Sequence, residues 1–480
     1  MSILIEFAIE NISIRKGKNM RIKSICVKLI AIGVAILMLN TPLLHSFASE
    51  STQTNTIGVS QWAIDEVNMA SLYEIGYEGM YSNLKSDITN DELVNLAVNL
   101  YIKLNDNMDS EELVFKFQNK IITDTWKKEH DPQGLSTRKD VIEVLYNILK
   151  ETVPDADGKD SVNYLLEAKI LRGRGNRGLD LNSHCNREEL LVMAKRAYEF
   201  VLRKTNRASK GYFYKIHGGK SDVYLLGSIH MADISIYPLE EKIEDAFNKA
   251  DYIAVEADVS NLEDTTKYIQ QKALFYDGTT IDKVLTPETF ELYKEQVEQY
   301  GFEPEVYNVL KPWYAAMLLQ NLSLQQYDYE AGLGIDLYFL LKSKNKKIIE
   351  IEGVKFQIDL LDNFSPEIQE MFLLDILLSI QNNDEGQSQS TEVMQYMLEV
   401  WRQGSEEELE KLVAVEGSEY YSEFSQLFWI QRNKNMTKRI VEYLKDNNKK
   451  TYFVIVGAGH LVGNSGVVKE LLDQGYTVSQ

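Results

Sequence analysis

Near its C-terminus the chain reads TYFVIVGAGHLVG (451–463). Five apolar or aromatic residues run straight into Gly-Ala-Gly-His, the pattern of a buried strand with a histidine, His460, at its exit. The chain has only six histidines. A second stretch, DVYLLGSIH (222–230), repeats the arrangement and delivers His230. Two further apolar runs, DYIAVEAD (251–258) and KKIIEIEG (346–353), are of strand type and carry Glu256, Asp258, Glu350 and Glu352. Helical patterns at 238–250, 286–300, 366–382 and, with breaks, 390–447 separate these runs. Strands alternating with helices predict an α/β fold with a mostly parallel sheet and flanking helices.

In a parallel sheet the C-terminal ends of the strands share one edge, and ligands bind in the crevice outside it. Two histidines and several carboxylates therefore converge on one edge from positions over 200 residues apart. Glycine three residues before each histidine, Gly227 and Gly457, is expected to let the chain turn sharply and approach a ligand. Neutral imidazole with carboxylate suits a first-row divalent metal with an open position for water. A spare Glu would then serve as general base. A salt bridge for Glu256 and a hydrogen-bonded structural role for each histidine are the simpler readings of the same residues.

Residues 206–480 resemble the TraB/GumN family. The resemblance rests on three blocks in order: YLLGSIHMADISIYPLEEKIEDAFNKADYIAVEADV, GLGIDLYFLLKSKNKKIIEIEGVKFQIDLL, and LFWIQRNKNMTKRIVEYLKDNNKKTYFVIVGAGHLVGNSGVVKELLDQGYTV. It implies a fold similar to the erythromycin esterase and ChaN superfamily. Tiki members of the family are metal-dependent peptidases. By resemblance, His230, His460 and Glu352 would hold Mn, Co or Zn, Glu256 would act as base or ligand, and Arg432 would orient substrate. Asp336, Gln357 and Asn433 match motif positions whose roles are less defined, as do Gly227 and Gly457. Ser228 and the Gly353 of IEG depart from the common pattern, the latter removing a hydroxyl near Glu352.

Residues 50–205 read as all-helical. DELVNLAVNLYIKL (91–104), RKDVIEVLYNIL (138–149) and NREELLVMAKRAYEFVL (186–202) each follow a polar cap, which suggests a degenerate threefold repeat. These units resemble S-layer homology modules, whose relatives bind anionic cell-wall polysaccharide. Arg138 and Arg187 match the wall-contacting Arg of that pattern, and the first unit has Asn90 instead. A plain helical spacer is the simpler alternative.

Residues 1–49 have the layout of a secretory signal peptide, with Met20 as the expected start. Arg21, Lys23 and Lys28 precede an apolar run over 29–39, and Ser46 and Ala48 offer a cleavage site. A signal anchor is the alternative. Of the two cysteines, Cys26 lies in the signal and Cys185 stands alone, so no internal disulfide is expected in the mature chain. A formal charge of −21 excludes nucleic acid as the expected partner. Together these features predict an exported, wall-associated protein acting as a metal-dependent hydrolase on an extracellular peptide. The alternatives are a protein that sequesters a peptide signal without cutting it and a wall-structural protein.

Overall fold

A computed structural model describes residues 58–480 apart from 78, 260–261, 326–328, 330–332, 344, 381–388 and 414–418. The signal segment and its cleavage site lie outside the described residues. The chain divides into two compact units between Ala208 and Ser209.

The N-terminal unit is helical. Its main helices are α1 (Ile64–Leu72), α2 (Asn90–Leu104), α3 (Arg138–Thr152), α4 (Ser161–Glu167) and α5 (Arg187–Lys204). The long helices α2, α3 and α5 begin alike, with a capping box at Thr89/Glu92, Thr137/Asp140 and Asn186/Glu189. In each, the cap side chain accepts from the backbone N–H three residues on, and the acidic residue returns the bond, satisfying two orphan donors. For α5 the cap is Asn186.

The loops ahead of these helices are locked together in a ring. The Ile88 N–H donates to Cys185 O at 2.9 Å, the Cys185 N–H to Ser136 O at 3.0 Å, and the Ser136 N–H to Ile88 O at 3.0 Å. A second tier repeats the register: Asn90 N–H to Gly134 O, Arg138 N–H to Ser183 O, and Arg187 N–H to Ser86 O. Each donor is the first residue of one helix, and each acceptor lies four residues ahead of the next. The repeat suggested by the sequence is thus a threefold ring with Ile88, Ser136 and Cys185 buried at its centre.

Arg138 and Arg187 brace this ring. Arg138 is buried, with Nε donating to Leu179 O, Nη2 to Arg172 O and Nη1 to Glu189 at 3.2 Å. Arg187 grips Glu92 through Nε and Nη2 and donates Nη1 to Ser82 O. Each arginine reaches the capping acid of the next unit. Asn90 is too short to do so and bonds Asp131 O and Ser136 Oγ instead. There His130, stacked on Trp126, meets Asp140 at 3.3 Å. Arg138, expected to face a ligand, spends its guanidinium on these internal partners while also lining a cleft of the helical unit.

The C-terminal unit holds a six-stranded sheet in the order β4-β3-β5-β2-β1-β6. The strands are β1 (Tyr212–His217), β2 (Asp222–Ser228), β3 (Tyr252–Val255), β4 (Lys347–Glu350), β5 (Thr451–Gly457) and β6 (Thr477–Ser479). The four strands read from the sequence pair in parallel, β2 and β3 flanking β5 and β4 outside β3. Two antiparallel strands, β1 against β2 and β6 against β1, were not foreseen and make the sheet mixed. The run at 346–353 is strand only to Glu350, and that at 251–258 only to Val255.

Central β5 is buried along nearly its whole length, which explains its unbroken Tyr-Phe-Val-Ile-Val run. Helices flank the sheet, among them α6 (Glu241–Lys249), α7 (Pro312–Gln325), α8 (Ile335–Lys342), α9 (Val354–Asp362), α10 (Pro366–Ile380), α11 (Gln389–Gln403), α12 (Gln431–Leu444) and α13 (Val467–Asp473). The stretch 390–447 resolves into several helices, with a π-helical turn over Gln426–Ile430 leading into α12. Among the described residues no helix is long and apolar enough to cross a membrane.

The ring carries a pH signature. Burial alone would raise the carboxyls of Glu66, Glu92 and Glu189. Lys195 and Arg196 around Glu66, the Thr89 N–H and Arg187 at Glu92, and Arg174 and Arg138 at Glu189 more than offset it, so all three sit below the ordinary glutamate value. A depressed folded value stabilises above the unfolded pKa of about 4.3, and the contribution disappears as pH falls through and below it. Hydrogen-exchange protection of the Ile88, Ser136 and Cys185 amides, corrected for intrinsic rates, should therefore hold from pH 7 to about 5 and decline below. Unchanged protection down to pH 3 would contradict this assignment.

Candidate functional site

Where β2, β3 and β5 end, their exits bring His230, Glu256 and His460 to one place. All three are 0 % exposed. The Glu256 carboxylate lies at its heart. Its Oε1 accepts the Gly457 N–H at 2.5 Å, so the glycine that ends β5 holds the acid at the end of β3. Its Oε2 accepts from Arg432 Nη2 at 2.8 Å and Gln357 Nε2 at 2.9 Å.

Glu352 is brought alongside by backbone. Past β4, the Ile351 N–H donates to Val255 O and the Glu352 and Gly353 N–H groups both donate to Glu256 O. Its carboxylate then takes Arg432 Nε and Nη2 at 2.8–3.2 Å, together with Gln357 Nε2. Arg432, also 0 % exposed, is thus shared between two buried carboxylates and lies over the Phe428 ring at 5.1 Å. Glu350 and Asp258 stay outside: the Glu350 side chain accepts the Asp258 N–H at 2.9 Å and braces the turn.

Burial is the main force on the Glu256 carboxyl. Arg432 opposes it, the Glu352 charge adds to it, and the group is pushed up to about 7. A carboxyl there can hold or release a proton near neutrality, the property required of a general acid or base.

Each histidine is oriented through its Nδ1. His230 Nδ1–H donates to Asp336 Oδ2 at 2.6 Å. Asp336 reaches it because α8 starts at the exit of β2, tied by the Ile335 N–H to Ile229 O at 2.9 Å. Burial disfavours the charged imidazole of His230, but Asp336, by charge and hydrogen bond together with the Glu256 charge, turns the net shift upward. His460 Nδ1–H donates to Asn433 Oδ1 at 2.6 Å. Asn433 donates its own Nδ2 to Ser465 O at 2.8 Å, which leaves only Oδ1 for the histidine. Both anchors fix the proton on Nδ1, which makes Nε2 the lone-pair nitrogen of each ring. Nε2 of His230 is buried with no hydrogen-bond partner among the described residues, and that of His460 lies 3.9 Å from Glu256 Oε1.

The glycines work differently from the expectation. Neither Gly227 nor Gly457 is among the residues with positive φ. Gly227 is required by close approach: a Cβ there would lie 2.8 Å from Leu461 Cδ1, 2.9 Å from Tyr212 Cβ and 3.0 Å from Ala458 Cα. Its carbonyl also accepts from the buried Trp401 indole at 2.9 Å.

These positions revise two expected roles. Glu352 is occupied by Arg432 and Gln357, and among the described residues no three His, Cys, Asp or Glu side chains stand as a ready ligand set. The donors that come nearest to such a set are His230 Nε2, His460 Nε2 and Glu256 Oε1, the last already accepting the Gly457 N–H. An imidazole whose Nδ1–H is held by a carboxylate or carbonyl is the usual arrangement around a metal. Buried atoms without a hydrogen-bond partner on bordering residues, Ser228 Oγ and Gln357 Oε1 with His230 Nε2, also fit a site built for an occupant. Arg432 is corrected from a substrate clamp to a positioning residue, since its guanidinium is turned to the two carboxylates. Trp429 was missed by sequence reasoning. Its ring lies 4.7 Å from that of His460, and the only signal was its place two residues ahead of Gln431-Arg432.

A mixed sheet whose parallel strands deliver two anchored histidines and a buried acid–arginine cluster defines an α/β domain built around a closed polar centre. The chain belongs to the TraB/PrgY/gumN family, whose model matches residues 212–480. It is 29% identical over 145 residues to the uncharacterized protein YbaP of Escherichia coli, covering 30% of this chain and 53% of that protein. It is 20% identical over 172 residues to an uncharacterized protein of Treponema pallidum, covering 35% and 51%. A shorter match, 40% over 55 residues, is to metalloprotease TIKI2 of Xenopus tropicalis, covering 12% of this chain and 10% of that protein. The chain thus spans about half the length of the first two relatives. No solved structure matches.

Removing Arg432 tests the cluster. Arg432→Ala leaves two carboxylates buried side by side and should cost about 3–5 kcal/mol. Arg432→Lys should recover little of this, because an ammonium cannot span both acids as the planar fork does. Urea unfolding measures both, and a loss under about 1 kcal/mol in the alanine variant would refute the assigned role.

Proposed function

We propose that residues 209–480 form an exported metal-dependent hydrolase acting on an extracellular peptide, and that the helical unit holds it at the cell wall. The observation that carries the catalytic part is the pair of buried imidazoles, both with Nδ1 anchored, beside a carboxyl pushed up to about 7. The TIKI2 match supports the metal and the peptide bond as target. His230 Nε2 and His460 Nε2 would hold Mn, Co or Zn, with Glu256 Oε1 as the nearest carboxylate oxygen. When bound, such an ion supplies Lewis acidity toward a scissile carbonyl.

The chain's own residues do the rest. Asp336 and Asn433 hold the imidazole protons on Nδ1 and fix the ring planes. Arg432 and Gln357 hold Glu256 Oε2, and the Gly457 N–H holds Oε1 on the His460 side, where its second lone pair would accept a proton from attacking water and return it to the leaving amine. Phe428 and Trp429 lie against His460 and exclude bulk water.

The wall-holding part is supported by a cleft of about 870 Å³ in the helical unit. Arg138, Arg172, Arg174, Arg177, Arg196 and His184 line it, alongside the carboxylates of Glu66, Asp87, Glu188 and Glu189, and so does Trp62, 57% exposed. Guanidinium groups beside an exposed aromatic ring suit an anionic polysaccharide. Of the two arginines first matched to that role, Arg138 lines this cleft while bracing the ring, and Arg187 braces the ring outside it. In a sedimentation assay, wall polysaccharide should bring down the full chain, and Arg172→Ala with Arg177→Ala should reduce the pelleted fraction at least fivefold. Equal pelleting would remove the wall from the proposal.

The catalytic reading is tested by metal analysis of purified protein and by peptide cleavage followed by mass spectrometry. Wild type should carry close to one divalent ion per chain and cleave. His230→Ala and His460→Ala should each lose the metal and at least 100-fold in rate. Full burial of the centre favours the second reading, sequestration of a peptide without cleavage. Saturable binding with the peptide recovered intact would establish that reading instead.

A further inference from the structure

His230, Glu256, Arg432 and His460 are all 0 % exposed, so a reactive centre here needs a route from outside. A cleft of about 320 Å³ lies against the turn that carries His460. Asn433, Gly459 and Trp429 line its inner side, and Glu410, Ser425 and Asn464 are among its other walls. Asn433 is the residue that anchors His460, and Gly459 is its chain neighbour, so the cleft and the centre share a wall.

Trp429 belongs to that wall. It lines the cleft on one side and lies 4.7 Å from the His460 ring on the other, at an interplanar angle of 62°. It sits in the π-helical turn Gln426–Ile430, a rare local winding found mostly at functional sites. The residue is 7% exposed, and its indole Nε1–H is buried with no acceptor among the described residues. A buried donor left without an acceptor is costly, and a carbonyl oxygen entering the cleft would satisfy it.

The chemistry of the cleft narrows the occupant. Among the described residues lining it, Glu410 is the only ionisable one. Its carboxylate is held in place by the Gly463 N–H at 3.1 Å. An unpaired indole donor, the amide of Asn464 and a carboxylate match a peptide backbone and disfavour an anionic ligand. We propose that this cleft is the access subsite of the dihistidine centre for a neutral or cationic peptide segment, with Trp429 as the wall that swings aside before the segment reaches His460. This rests on the reading of the centre as reactive toward peptides.

Histidine carbethoxylation by diethyl pyrocarbonate, mapped by mass spectrometry on the full chain, reports access without requiring catalysis. His184 and His217 are exposed internal controls. Trp429→Ala should raise the rate at His460 at least tenfold and leave both controls unchanged, whereas Trp429→Phe should stay near wild type. In the alanine variant, millimolar Ac-Ala-Arg-Ala-NH2 should slow His460 at least threefold and Ac-Ala-Glu-Ala-NH2 should not. Glu410→Gln should abolish the difference between the two peptides. An unchanged His460 rate with both controls steady overturns the proposal, as does equal protection by the two peptides.

If Trp429→Ala unfolds the domain, Ser425→Trp decides, because plugging the cleft should slow residual His460 modification at least threefold and an unchanged rate overturns the proposal. No cleavage from a centre that opens and is protected as described would sink the hydrolase reading and leave the subsite standing. Peptidase activity with His460 equally shielded in both Trp429 variants would sink the subsite alone.

Discussion

The C-terminal unit depends on one guanidinium. Arg432 lies where β3, the segment after β4, α12 and the end of β5 meet, and it holds Glu256 and Glu352 together. A buried ion cluster of this kind gains little over well-packed apolar residues, because desolvation cancels much of the attraction. Its effect is geometric. With Arg432 in place, Oε2 of Glu256 is committed, and Oε1, which accepts the Gly457 N–H, lies 3.9 Å from His460 Nε2. The next residue, Asn433, orients that same histidine. Two consecutive side chains on one helix therefore set both the acid and the imidazole.

The two imidazoles are anchored unequally. Asp336 brings a negative charge to His230, while Asn433 offers a neutral carbonyl to His460. A carboxylate makes an imidazole a stronger base and a better ligand than an amide does. The centre is therefore polarised from the β2 side toward the β5 side.

Much of the centre was legible in the sequence, because glycine followed three residues later by histidine, behind an apolar run, is a local pattern. Glu256, Arg432, Asp336, Asn433 and Gln357 were all named, and the structure brings them together. Their partners were not legible, since a pairing such as Arg432 with Glu352 spans 80 residues and leaves no local trace. The four parallel strands showed as apolar runs. β1 and β6 did not: YFYKIH mixes polar and aromatic residues, and TVS is only three residues long. Strand ends were read too long at 251–258 and 346–353 because the following residues keep making backbone bonds without strand geometry. Gly227 and Gly457 were read as turn formers because glycine signals backbone freedom and close approach alike, and sequence does not separate the two.

In the helical unit, the first and third repeats bond each other as directly as either bonds the second. An open stack of repeats can lose or gain a member at its end, with stability changing in steps. A closed circuit cannot: deleting any one repeat leaves two loop faces without partners, and a fourth would find no vacant edge. The middle repeat is therefore required by geometry. A family of such chains should vary in the loops around this hub far more than in its count of three.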